Sequence, residues 1–299
     1  MELALLLRLE MTTSSYKNGD MTVSIDLTTG TRLIETSIVN GKAAFPYNVD
    51  IRTSTECSFG AGAKASVACS FCHESARVDG LECDYNELLD ILIQLPKGSE
   101  IAVGVNRLTS PMIEFLVGLR VLGFIASVTV NQGHLGRDRW IDNLELVYGF
   151  GVSYRKWAKP IPPEILNHSN TVVHVIAGID DVDDVLQLKA KKVLVLGEKD
   201  FGFNSGKVNT KSELHKNWYR NLYKLFDTFE VVSFDNLALE QLNVRRFYKD
   251  SVWKTLYQGE KSLYIDGPAR VFRRSSRGGP EESFDRTTIK EFFTKHCLE

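Results

Sequence analysis

Short, unbroken apolar runs recur along most of this chain, each followed by a segment of helical spacing. That alternation limits the fold more than any other feature. Val193-Leu-Val-Leu196 is the plainest run. A strand without polar alternation is buried on both faces, which requires a parallel sheet covered by helices. Strands, most of them such runs, are expected at 48–53, 100–105, 125–131, 146–153, 171–177 and 192–197, with a seventh candidate at 230–234. Between them, 84–95 places Leu88, Leu89, Leu92 and Leu95 on one helical face. Ser110-Pro111 opens a helix through Leu122, with proline in the first turn. Shorter helices are expected near 137–144 and at 182–188, and a longer one at 212–226. Right-handed crossovers turn this order into a barrel or an open doubly wound sheet, with the site built by loops after the strand C-termini.

The first part of the chain reads differently. Residues 21–26 alternate as a strand, Thr28-Thr29-Gly30 turns, and 31–38 returns as a second strand. The expected divisions are an N-terminal β-hairpin extension at 1–45, an α/β unit at 46–235 and a C-terminal extension at 236–299.

The apolar content of 43% and charged content of 25% are those of a soluble globular protein. A formal net charge of −2 gives no electrostatic case for a nucleic-acid partner. No apolar run approaches the ~18–20 residues of a membrane span. The run Ala4–Leu7 is too short for a signal-peptide core, so the expected location is cytoplasmic. The five cysteines should then be mostly reduced.

Three of them, Cys57, Cys69 and Cys72, crowd into the segment after the first core strand. Thiolates are soft ligands, and three in one segment suggest zinc or an iron–sulfur cluster. Three also leave one coordination position open, as a catalytic centre needs. Without residues 61–68 the segment reads Cys57-Ser-Phe-Gly-Cys69-Ser-Phe-Cys72. It thus resembles the CxxxCxxC signature of the radical S-adenosylmethionine (SAM) superfamily, here expanded to C-x11-C-x2-C. The resemblance covers roughly 47–235. It implies a partial (β/α)6 TIM-like barrel. It also implies a [4Fe–4S] cluster on Cys57, Cys69 and Cys72, with SAM chelated by the open iron. SAM would be cleaved reductively, and hydrogen abstracted from a substrate that the sequence does not identify. The electron donor would be of flavodoxin or ferredoxin type. By the same resemblance Gly104-Val105-Asn106 stands where the family's Gly-Gly-Glu-like turn meets SAM, with Asn in place of Glu. Asn131, Ser153 and Gly178 follow later strands at positions that face SAM in the family. The inserted 61–68, small and weakly charged, is expected to form a flap.

Other readings stand beside this one. Cys57, Cys69, Cys72 and His73 suit a structural zinc site in a non-catalytic or hydrolytic α/β protein. Cys69-Ser-Phe-Cys72-His73 matches the CxxCH haem-attachment pattern, and Cys69 and Cys72 a redox pair. A degenerate barrel acting as a binding module is a third class. Cys83 and Cys297 are read as spectators. His134 is a candidate base, though a lone loop histidine is more often a hydrogen-bonding residue. His174 is read as a core or mouth residue. The aspartates at 180–184 are read as caps of the next helix, and Asp235 as the cap of another. The arginines at 270–277 are read as a flexible basic loop.

Overall fold

The computed structural model describes residues 13–38, 41–64, 68–250, 253, 261–276 and 278–297. It opens with three antiparallel strands, β1 (Thr13–Asn18), β2 (Met21–Asp26) and β3 (Arg32–Thr36). The expected hairpin is β2 and β3; β1 adds a strand on its other side. Next come β4 (Asn48–Arg52), β5 (Glu56–Ala61), α1 (Tyr85–Leu92), β6 (Glu100–Val105), α2 (Ser110–Val121), β7 (Ile125–Asn131) and β8 (Gly149–Ser153). They are followed by α3 (Pro163–Leu166), β9 (Thr171–Ile176), α4 (Val182–Val185), β10 (Lys192–Leu196), α5 (Glu213–Asn221), α6 (Tyr223–Thr228) and β11 (Val231–Phe234). The chain closes with α7 (Asn236–Gln241), β12 (Ser262–Asp266), β13 (Val271–Ser275), β14 (Gly278–Ser283) and α8 (Ile289–Cys297).

Ten strands form one sheet in the order β11-β10-β9-β8-β7-β6-β4-β12-β13-β14. From β11 to β12 every neighbouring pair is parallel; β13 and β14 turn back antiparallel. The architecture is the α/β partial barrel expected, with the edges β11 and β14 unpaired with each other. The sheet curls, because residues of β4, β6, β7, β8, β9, β10 and β12 all line a single cavity. Two parts of the C-terminal segment differ from expectation. β12 pairs with β4, so residues 262–266 extend the parallel sheet at its far edge. The arginine-rich stretch is not a flexible loop: it enters β13, where Arg273 bonds Asp266 and Glu281, and Arg270 bonds Glu87 and Asp285.

Helix ends follow local chemistry. Asp84, Thr109, Ser212 and Asp235 each accept backbone N–H groups as N-caps. Asp181 caps α4, while Asp180 is buried and accepts the Ile176 N–H. The segment expected as a helix near 137–144 forms a 3₁₀ stretch at Trp140–Leu146.

Strand alternation separates two faces. Toward the helices, Val128, Val130, Val173, Val175, Val193 and Val195 are at most 1% exposed. Toward the lumen, Glu100, Ser127, Thr129, Asn131, Ser153 and His174 remain half-buried. The expectation of strands buried equally on both faces is therefore corrected: β-branched residues occupy both rows of several strands, but only the outer row is packed dry.

The N-terminal strands close one end of the lumen. Arg32 of β3 donates to Asn48 and to Glu100, the latter at 2.6 Å, and Glu100 accepts Ser127 at 2.8 Å. Tyr148 and Asn170 bond the backbone of Asp26 and Leu27. Tyr16, Met21 and Val23 join the same hydrophobic core as the barrel.

Candidate functional site

The other end, at the strand C-termini, holds a cavity of about 380 Å³. Cys57, Cys69, Cys72, Gly104, Val105, Asn106, Asn131 and Ser153 all border it. Gly178 does not. It turns the chain between β9 and α4 at φ +96°, and a side chain there would collide with the His215 ring. Its glycine serves packing at that turn.

Cys57 sits on β5, a strand laid over the barrel mouth rather than a bare loop. Alternation turns Cys57 inward and leaves Glu56 and Ser58 facing out, where they meet Arg107 and Arg137. Gly60 permits close backbone approach, since a Cβ would strike the carbonyl of Ala76. Ala61 pairs with the 76–78 stretch on both sides of its peptide. Of the insertion expected as a flap, Ala61 ends β5 and Gly62 turns away from it; residues 65–67 lie outside the described residues. Cys69 N–H returns to Phe59 O at 2.8 Å, folding the second cysteine back beside the first.

Burial pushes Cys57 up to about 11, opposed by the Phe59 N–H. Burial also raises Cys72, opposed by the N–H groups of Ala76 and Glu74. Cys57 and Cys72 are therefore held as thiols, and the same amide donors would stabilise their thiolates were the protons displaced. Among the described residues, no three His, Cys, Asp or Glu side chains are grouped to hold a single metal ion. His73 is engaged elsewhere, its Nε2 lying 3.0 Å from Glu74 and 3.2 Å from Lys199. Three thiols in one segment are a soft donor set of the kind that zinc or an iron–sulfur cluster takes. Cys83 and Cys297 lie elsewhere: Cys83 packs beside Gly267, and Cys297 reaches toward Ser262 O.

Neighbouring residues fasten this segment. The Asn106 amide donates to Glu56 O at 2.6 Å, so this side chain anchors the start of β5. Asn131 accepts Gly133 N–H and stands 3.9 Å from Cys69 Sγ. Val105 belongs to the dry outer row, so what it offers the cavity is main chain. At Gly104 an added Cβ would have only Ile51 O nearby, at 3.6 Å. Arg155 stacks over Phe71, between the second and third cysteines. Phe59 stacks on His134 at 4.7 Å and meets Trp157 edge-on at 4.9 Å. Burial holds His134 near 4, and both its ring nitrogens lack partners among the described residues. It is packed behind Phe59 and does not border the cavity.

Residues not singled out in the sequence complete the walls: Asp50, Arg52, Glu74, Thr129, Arg155, Lys199, Tyr264 and Ser276. Burial would raise the Glu74 carboxyl, but the His73 hydrogen bond, Arg52 and Tyr264 hold it down to about 2. The polar alternation of Asn48-Val-Asp-Ile-Arg52 was a signal that Asp50 and Arg52 share a face. Nothing local in the sequence signals that Tyr264 arrives on β12 beside β4, or Ser276 from the end of the antiparallel β13.

No known family profile matches the sequence, and neither does any curated protein. Solved structures do match the fold. A crystal structure of Streptococcus suis SuiB has a TM-score of 0.61 at 10% identity, covering 97% of this chain and 88% of that one. SuiB bound to the precursor peptide SuiA gives 0.60 at 8% identity over 94% and 87%. SuiB bound to S-adenosylmethionine gives 0.58 at 9% identity over 97% and 88%.

Proposed function

We propose that this chain is a radical SAM enzyme, with Cys57, Cys69 and Cys72 holding a [4Fe–4S] cluster and the cavity beside them holding SAM. The carrying observation is the convergence of these cysteines with Gly104, Asn106, Asn131 and Ser153 on one cavity at the strand C-termini. A fold shared with a protein whose structures contain SAM and a precursor peptide supports the reading, and makes a peptide one substrate to try. When bound, the cluster and SAM would supply reductive SAM cleavage and a carbon-centred radical that takes hydrogen from the substrate. The chain's own work is to hold and to shield. Three thiolates anchor the cluster, Asn106 fixes β5, Gly104 leaves space for the cosubstrate, and the curled sheet excludes bulk water. A flavodoxin- or ferredoxin-type protein would deliver the electron.

Anaerobic reconstitution should load about four irons per chain. Alanine at Cys57, Cys69 or Cys72 should abolish loading, whereas Cys83→Ala and Cys297→Ala should retain it. The reduced protein should form 5′-deoxyadenosine slowly without substrate. One zinc and no iron under these conditions would establish the structural-zinc reading instead. A loaded, reduced cluster that neither binds nor cleaves SAM would overturn the enzyme assignment.

A further inference from the structure

Two carboxylates border the cavity, Glu74 and Asp50. Glu74 is fully engaged, by Tyr264 at 2.8 Å, His73 at 3.0 Å and Arg52 at 3.4 Å. The carboxylates nearby on the same sheet are engaged as well: Glu100 with Arg32 and Ser127, Asp266 with Arg52 and Arg273. Asp50 alone among these has no side-chain hydrogen bond or ion pair with a described residue. It stands in the middle of β4 on the lumen row, in register with Ala102 of β6 and Tyr264 of β12. Ala102, and Gly104 one lumen position further along β6, are small and leave open space beside it. Asp50 is exposed to the cavity rather than packed against protein; the surrounding barrel raises it to about 6, with Lys199 and Arg32 opposing the rise and Glu100 and Glu74 adding to it. Its carboxylate is reached from the cavity, so an entering ligand can supply the donor that the described residues do not.

We propose that Asp50 is the substrate-recognition carboxylate of this cavity, and that the group it takes is a protonated amine. A charge-assisted N–H···O⁻ bond is the strongest match for a lone carboxylate in a confined polar lumen. The proposal rests on the reading above and adds the substrate to the cavity that SAM enters. An amine can also come from the methionine end of SAM, and the two sources predict different results.

The test uses three probes of one shape, n-butylammonium, n-butanol and butyrate, followed by ligand-observed NMR. Both the metal-free protein and the reconstituted, SAM-bound protein are titrated. Butylammonium should bind wild type at least about tenfold more tightly than butanol in both forms, and butyrate less tightly than either. Asp50→Asn should erase that preference, and Asp50→Glu should restore most of it. The SAM affinity of Asp50→Asn separates the two amine sources. An amine preference that survives in Asp50→Asn overturns the proposal. So does a fall in SAM affinity in that variant, which would assign the carboxylate to the cosubstrate. Failure to assemble a cluster would sink the enzyme reading, while the metal-free titration would still report on Asp50.

Discussion

Alternate residues of a single strand of this protein stand in two different media. In β7, Ala126, Val128 and Val130 point into the helix layer and are at most 4% exposed, whereas Ser127, Thr129 and Asn131 point into the lumen. The outer row is held by desolvation of apolar surface, about 25 cal/mol per Å². The inner row gains little from burial, and it can be polar because its partners are other lumen groups and the ligands proposed above. The difference teaches where stability and chemistry reside. Each strand carries both, offset by one residue.

The largest expected effect sets the two rows of β8 against each other. Phe150 is 1% exposed on the outer row and packs against Trp140; Ser153 faces the cavity. Phe150→Ala should cost about 3–5 kcal/mol in urea unfolding. Ser153→Ala should stay within about 0.5 kcal/mol. Equal losses would break the comparison.

A smaller effect probes how far water reaches the polar row. His174 faces the lumen against Gly151 and Thr129, and burial lowers it to about 4. The native state therefore resists protonation that the unfolded chain accepts. Stability is fully present above about pH 6.5 and declines as pH falls toward 4, by at most about 1.4 kcal/mol per unit. His134 carries a shift of the same sign, so the measurement is the difference between wild type and His174→Asn at pH 7 and pH 5. If that difference is the same at both pH values, the lumen around His174 is wet.

The smallest change in stability is expected at Gly104. Alanine there meets no atom closer than 3.6 Å, and glycine inside a strand is already a weak choice. Gly104→Ala should leave the denaturation midpoint within error or raise it slightly, yet weaken SAM binding measured by equilibrium dialysis. A large loss of stability would move Gly104 into the structural row.

Much of the architecture was legible because it rests on local periodicity. The apolar runs at 100–105, 125–131, 171–177 and 192–197 became β6, β7, β9 and β10 because a buried parallel strand needs little beyond such a run. The cysteine spacing was legible for a chemical reason, since three soft ligands in one segment have few uses. Other features were hidden. The lumen row of β9 and β10 contains Val172, Ile176, Leu194 and Leu196, so composition gave no hint that this face is the less buried one. The role of Asn106 in holding Glu56 O depends on a contact across fifty residues.

The sequence by itself determined most of the strand–helix order and the helix caps, because each depends on residues within a turn or two of one another, and it placed three thiols in one segment. Only the tertiary structure decided that β12 lies beside β4, bringing Tyr264 to the cavity, and that β3 closes the opposite end through Arg32 and Glu100. It also decided that Asp50 has no side-chain partner among the described residues while Glu74 has three. Those outcomes come from the curl of the sheet, which brings together side chains more than two hundred residues apart, and no local pattern encodes that closure.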